Sequence, residues 1–386
     1  MGDPVAQHVL IAPDKFKGSA SAAEVAEHVA AGIRQTAPGV RITTLPVADG
    51  GDGTVDAAVA AGFARYEVTV AGPLGNPVRA AFALRDDTAV VEMAEASGLR
   101  HLPDGRQAPL DAGTYGTGEL IRASLDAGAR TIVLGVGGSA STDGGAGMLA
   151  ALGARFLDAD GQDLPGGGGA LERLATVDLT GLDPRLSDGG VQIVLASDVD
   201  NPLLGEHGAA EVYGPQKGAG RDEVARLEAG LENLVRTLMQ PLGPDAAYTA
   251  QAPGAGAAGG VGFGALAVLG AQRRSGIEVL LDVLGFDKAL RDATLVVTGE
   301  GSLDTQTLHG KAPAGVAQAA QRLGIPVAAV CGRLQLTERQ LRDAGIVAAY
   351  VLLDIEPDRA RCMAEPGPLL ERLGAQLAAE LLLSTP

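Results

Sequence analysis

The chain alternates short unbroken apolar runs with longer segments whose apolar residues recur every three or four positions. "HVLIAPD" (8–14) reads as a strand buried on both faces, as in a parallel sheet. "SAAEVAEHVAAGIRQTAPG" (21–39) reads as the amphipathic helix that follows it. Ser21 is its N-cap, Glu24 lies three residues on, and Gly39 stands past its end. "RITTLPVADGGDGT" and "VDAAVAAGF" repeat strand and helix. Toward the C-terminus "TLVVTGEGSLD", "IPVAAVCG" and "AAYVLLD" are strands, interleaved with the helical "APAGVAQAAQRLG" and "TERQLRDAG". Alternation of this kind predicts a doubly wound parallel sheet. The middle differs. "FARYEVTVAGPLGNPVRAAFALRDDTAVVEMA" reads as strands joined by turns, with antiparallel pairing, and Gly166 to Gly169 read as a flexible break. The pattern predicts an α/β protein of two domains. A discontinuous parallel-sheet domain is built from residues 1–72 and 290–386, with a mixed α/β domain, 73–289, inserted between them.

Composition narrows the partners. At 386 residues, 46% hydrophobic and 20% charged, the chain is ordinary globular material for two cores. Its 56 glycines fall in short clusters without a collagen period. A net charge of −17 repels nucleic acid and anionic lipid, and with no Trp and 3% aromatics there is little to stack on bases. Cys331 and Cys362 cannot form a disulfide framework. The N-terminal "MGDPVAQHVLIAPDKFKG" lacks the basic head and apolar core of a secretory signal. The uncharged stretch between Asp245 and Arg273 is rich in Gly and Ala and holds Pro253, so it reads as a buried loop and helix rather than a membrane span. These features predict a cytoplasmic protein, a monomer or homodimer, with no nucleic-acid or membrane partner.

The chemistry gathers where apolar strands end. Five of them run into unusual turns: "APDKFKGS", "VADGGDGT", "GVGGSASTDGGAG", "ASDVDNPL" and "TGEGSLDTQTLHGK". Open α/β sheets bind ligands outside the carboxyl ends of their strands, and glycine lets main-chain N–H groups approach an anion. Residues 135–147 therefore read as a phosphate-holding turn. Lysine usage agrees. There are only five lysines, Lys15, Lys17, Lys217, Lys288 and Lys311, and arginine fills the other basic positions. Lys288 reads as a solvated helix residue. The other four sit in Gly/Pro-punctuated turns, where a compact ammonium suits a phosphoryl or carboxylate oxygen. Asp49 with Asp52, Asp198 with Asp200, and Glu300 with Asp304 supply carboxylates for Mg²⁺ or for activating an alcohol. The histidines show no zinc spacing, and no G-x-S-x-G elbow or Walker A motif is present. "GVGGSA" does satisfy a dinucleotide-type G-x-G-x-x-A, with Asp158 and Asp160 about 20 residues on. A nicotinamide-dependent dehydrogenase of a small hydroxy acid is thus one alternative, and a non-catalytic sugar-acid sensor another.

Assembled in order, these turns resemble the bacterial type I glycerate kinase family. The match runs nearly end to end, through "APDKFKGSASAAEVA", "ADGGDGT", "EMAEASGL", "TYGTGEL", "GVGGSASTDGGAGM", "SDVDNPLLG", "GPQKGA", "GAAGGVGFGA", "GIEVLLD" and "TGEGSLDTQTLHGKAPAGVA". Lys15, Asp52 and Thr142 stand where family versions often carry Ser, Glu and Asn. The resemblance implies ATP-dependent phosphorylation of D-glycerate at its 2-hydroxyl, with Mg²⁺. It also implies a flavodoxin-like domain, an inserted restriction-endonuclease-like domain, and an active site in the cleft between them. The roles expected on this reading are specific. Gly137, Gly138, Ser139, Ser141, Asp143 and Gly144 hold the ATP phosphates. Lys17 and Lys217 neutralise the transferring group or hold the glycerate carboxylate. Asp49 or Asp52 positions Mg²⁺, and Asp198 orients and deprotonates the hydroxyl. Glu300, Asp304 and Lys311 line the site from the sheet domain.

Overall fold

A computed structural model of the chain describes residues 7–103, 106–187, 189–308 and 310–383. The first six residues, part of the N-terminal reading above, and His309 lie outside them. Among the described residues are strands β1 (His8–Pro13), β2 (Arg41–Thr44), β3 (Ala64–Ala71), β4 (Pro77–Arg85), β5 (Thr88–Glu92), β6 (Thr131–Gly135), β7 (Arg155–Leu157), β8 (Thr176–Asp178), β9 (Gln192–Ala196), β10 (Gln272–Arg274), β11 (Leu295–Leu303), β12 (Val327–Leu334) and β13 (Ile346–Val351). The result is a mixed α/β protein that divides into two compact units. One comprises residues 1–49, 56–62 and 277–386, the other residues 50–55 and 63–276.

The first unit holds a five-stranded sheet in the order β13-β12-β11-β1-β2, every pair parallel. Taken in chain order within the unit this is 2-1-3-4-5, so the winding reverses between β1 and β11. All six residues of β1 are buried, as its unbroken apolar run requires. The helix Ala22–Thr36 closes a capping box. Ser21 Oγ accepts from the Glu24 N–H at 3.2 Å, and Glu24 Oε2 accepts from the Ser21 N–H at 2.8 Å. Its Val25, Val29 and Ile33 share a core with Val9, Ile11 and with Leu370, Leu373 and Leu377 of the helix Pro366–Leu381. Each such side chain, fully buried, contributes about 1.5–3 kcal/mol.

The second unit holds a six-stranded mixed sheet, β10-β9-β6-β5-β4-β3. The β3–β4–β5 meander is antiparallel, while β5, β6, β9 and β10 run parallel. β7 and β8 form a separate antiparallel ribbon. Phe82, Met93, Leu120, Leu134 and Phe263 centre its core. Residues 50–55 and 63–72, assigned by the sequence pattern to the terminal part, belong with this unit, where 64–71 are β3 of its sheet. Residues 277–289, assigned to the insert, belong with the first unit, where Ile277 lies against Gly315.

One local reading changes. Gly167 to Gly169 are not a break but a packed corner, with Gly166 exposed beside it: Gly167 (φ +94°) and Gly168 are buried, and a Cβ on Gly168 would collide with the Thr142 carbonyl. The uncharged stretch folds as the helices Asp245–Ala250 and Ala257–Ala267. The second is entered through left-handed Ala258, Gly259 and Gly260. Among the described residues no helix is long and apolar enough to cross a membrane.

Candidate active site

In the first unit, charged residues collect at the carboxyl ends of β1 and β11, the point where the winding reverses. Asp14 continues the ladder, its N–H donating to the Gly299 carbonyl at 2.8 Å. It is 7% exposed, and its Oδ1 accepts from the Lys15 N–H at 2.6 Å. Burial pushes its carboxyl up to about 7. Lys15 opposes the rise, while Asp49 and Glu300 add to it. Glu300 Oε1 accepts from the Thr307 hydroxyl, and its Oε2 lies 3.8 Å from Lys311 Nζ. Burial raises this carboxyl too. Asp304 folds its own turn: Oδ1 accepts from the Gln306 N–H at 2.9 Å, and its N–H donates to Thr307 Oγ1 at 3.0 Å. Lys17 is exposed in the tight turn closed by Phe16 and Ala20. The structure thus brings Asp14, Lys15, Asp49, Glu300 and Lys311 together. Asp14 and Thr307 were absent from the residues expected there. The signal for Asp14 was available: a carboxylate standing directly after an unbroken apolar strand.

In the second unit two glycine turns pack main chain on main chain at the carboxyl ends of β5, β6 and β9. The Gly137 N–H donates to the Gly50 carbonyl at 3.2 Å. A Cβ on Gly137 would lie 2.5 Å from Gly51 Cα. A Cβ on Gly138, left-handed at φ +74°, would lie 2.5 Å from Asp52 Oδ1. Only glycine permits this approach. Glu92, another unforeseen residue, ends β5 at 1% exposure. Its Oε2 accepts from the N–H groups of Gly53 at 3.1 Å and Val55 at 3.2 Å, while among the described residues its buried Oε1 has no hydrogen-bond partner and only the Arg100 guanidinium at 4.0 Å. Burial pushes it up to about 7.

The 135–147 turn has two halves. Gly138 is exposed and Gly137 half-buried, whereas Ser139 to Ala146 are buried. The Ser141 and Thr142 hydroxyls are enclosed without hydrogen-bond partners among the described residues. Gly144 packs against Leu234 and Leu231. Asp143 knots the inner half: Oδ2 accepts from the Thr114 N–H (2.9 Å), Thr114 Oγ1 (2.7 Å) and the Gly147 N–H (3.2 Å), and Oδ1 from the Gly145 N–H (3.2 Å). Burial raises its carboxyl. Ser141, Asp143 and Gly144, expected against a ligand, therefore form the interior support of the turn. Lys217, expected in a Gly/Pro-punctuated turn with its ammonium toward a ligand, is 2% exposed, and its Nζ donates to the Ser141 carbonyl. Burial lowers its ammonium to about 7, against the pull of Asp143. Asp198 follows β9, its Oδ1 accepting from Ser275 Oγ at 2.8 Å and from the Gly276 N–H at 2.9 Å. Its neighbour Asp200 pairs with Arg273 at the surface.

A dinucleotide site does not fit this geometry. β6 ends at Gly135 and the next helix begins only at Ala146, so no helix N-terminus follows the G-x-G-x-x-A turn. Asp158 is spent on its own surface turn, accepting from the N–H groups of Asp160 and Gln162.

Comparison with known proteins agrees. Residues 9–382 match the glycerate kinase family. The chain is 44% identical over 379 residues to the glycerate kinase of Bacillus subtilis (strain 168), covering 97% of this chain and 98% of that one. It is 44% identical over 349 residues to the glycerate 2-kinase of Escherichia coli (strain K12), covering 89% and 90%. A crystal structure from Salmonella typhimurium LT2, described as a glycerate kinase 2, superposes with a TM-score of 0.84 at 42% identity, over 97% of this chain and 98% of that one. Strand-end turns, absence of a dinucleotide geometry and end-to-end likeness lead to one assignment: the chain is a kinase and belongs to the glycerate kinase family.

Proposed function

We propose that the protein transfers the γ-phosphoryl group of ATP to the 2-hydroxyl of D-glycerate, giving 2-phosphoglycerate, with Mg²⁺. The observation that carries this reading is the likeness, over 89% of the chain, to a relative named for phosphorylation at the 2-position. The strand order of the first unit supports a flavodoxin-like domain, and the second unit is the inserted domain, restriction-endonuclease-like in the family's terms.

The exposed Gly137–Gly138 turn beside Asp52 takes the phosphates, with Ser139 assisting and Ser141, Asp143, Gly144 and Lys217 holding its shape from within. Phosphoryl transfer asks mainly for positioning and charge neutralisation, which rigid main-chain donors supply at no reorganisation cost. Lys17 and Lys311 neutralise charge on the transferring group and the glycerate carboxylate. Glu300 and Asp304 order Lys311 and its turn. Asp198 takes the proton of the 2-hydroxyl as its oxygen bonds to the γ-phosphorus and the bond to the ADP oxygen breaks. Among the described residues no group of three or more His, Cys, Asp or Glu could hold a metal by itself. That fits Mg²⁺, which takes one or two carboxylates and completes its shell with phosphate oxygens and water. Asp49 or Asp52 supplies the carboxylate, and the ion, when bound, neutralises phosphate charge. Phosphorus NMR of the product formed from ATP and D-glycerate tests the reading. A 3-phosphoglycerate signal, or no ADP release, would overturn it.

A further inference from the structure

The second unit contains a cavity of about 720 Å³. Its walls come from the β3–β4 turn (Gly72–Gly75), the start of the helix Tyr115–Asp126, the helix Ala146–Ala151 and the segment 163–167. Asp143, Ala146 and Gly147 of the glycine-rich turn line it, so the turn proposed for the phosphates forms one of its sides.

Three properties select an occupant. The first is size: the volume is typical of pockets for drug-sized ligands and far exceeds a three-carbon acid. The second is charge. Among the described residues the one cation in the wall, Arg155, is already paired with Asp163 through Nε at 3.1 Å and Nη2 at 2.9 Å. Asp143 has both oxygens engaged, and Asp111 adds a further carboxylate to the wall. The wall therefore offers no ready cation to a phosphate or carboxylate. The third is surface: Ala146, Ala150, Phe156, Leu164 and Leu171 make it largely apolar, with Tyr115 as an aromatic face. A neutral, flat, partly apolar group fits. In a kinase reaction the phosphoryl donor's base supplies one.

We infer that this cavity holds the adenosine end of ATP, with the phosphates directed toward Gly137 and Gly138. The inference rests on the proposal that ATP is the donor.

Wild-type protein and two wall variants test it by calorimetric binding of ATP, adenosine and tripolyphosphate. Gly166→Trp has room for its side chain, since a Cβ there meets nothing within 4 Å. Ala150→Phe fills the cavity from the opposite wall. Both should weaken ATP and adenosine by at least about tenfold while leaving tripolyphosphate and the melting temperature unchanged. Adenosine should compete with ATP. The protein has no tryptophan. Tyr115→Trp therefore adds a single reporter, whose emission adenosine should change and D-glycerate should not. Undiminished ATP affinity in both folded variants, or adenosine binding that does not compete with ATP, overturns the inference and leaves ATP as donor. Failure of the wild type to bind ATP removes the donor proposal itself, and the inference with it.

Discussion

Lys217 Nζ donates to the main-chain carbonyl of Ser141 at 2.5 Å, 76 residues earlier in the chain, inside the second unit. An ammonium this deep costs desolvation free energy, which is why its pKa falls to about 7. The linkage has a definite sign. Between about pH 7 and 10.5 the unfolded chain holds a proton that the native lysine has lost, so stability rises with pH across that window. Replacing Lys217 with Met removes this component. Chemical denaturation of both proteins at about pH 7 and about pH 9.5 should show wild type gaining on K217M at the higher pH. A pH-independent difference would mean that Lys217 keeps its proton in the native state.

Glu92 behaves oppositely. Its folded pKa lies near 7 against an ordinary 4.5, so the native state holds the extra proton between those values. Its contribution is present at low pH and is lost as pH rises from 4.5 to 7. Gln at this position keeps an oxygen for the Gly53 and Val55 N–H groups and never ionises. E92Q should therefore gain stability relative to wild type between about pH 5 and about pH 8, read as a shift in melting temperature. A relative loss over that range would contradict the buried, part-protonated carboxyl.

Much of this was legible in the chain because local signals and burial agree. The Ser21–Glu24 box starts its helix where the spelling says it should, and β1, β11, β12 and β13 follow unbroken apolar runs. The antiparallel meander likewise follows its turns. What escaped was depth. A Gly/Ser/Asp turn reads the same whether it faces solvent or a neighbouring element. Sequence alone therefore did not separate Gly138, which is exposed, from Ser141 and Asp143, which are buried. Lys217 was misjudged for the same reason. Nothing in "GPQKGA" reports that its ammonium is enclosed against the Ser141 carbonyl. Glu92 was overlooked because its partners, Gly53 and Val55, lie 39 and 37 residues away.

Gly138 gives a sharp test of the phosphate turn. Alanine there pays twice: a left-handed backbone costs a residue with a Cβ roughly 1–2 kcal/mol, and the new methyl sits 2.5 Å from Asp52 Oδ1. Gly138 is exposed, so the turn can yield outward and the unit should still fold. The KM for ATP should rise by about tenfold or more in G138A, with the KM for D-glycerate little changed. The reverse pattern would move the turn from the nucleotide to the acid.

Asp198 carries the proposal for proton transfer. Its Oδ1 is anchored by Ser275 Oγ and the Gly276 N–H, which orient the carboxylate at the carboxyl end of β9. Asparagine keeps an oxygen for those donors but cannot take a proton. D198N should therefore fold and bind ATP as wild type does, while kcat falls about 10²–10⁴-fold, the usual contribution of a general base. Ser275→Ala removes only one anchor and should produce a much smaller fall. Wild-type kcat in D198N would rule out Asp198 as base. The search would then pass to Asp14, whose carboxyl near 7 is already suited to accepting a proton at neutral pH.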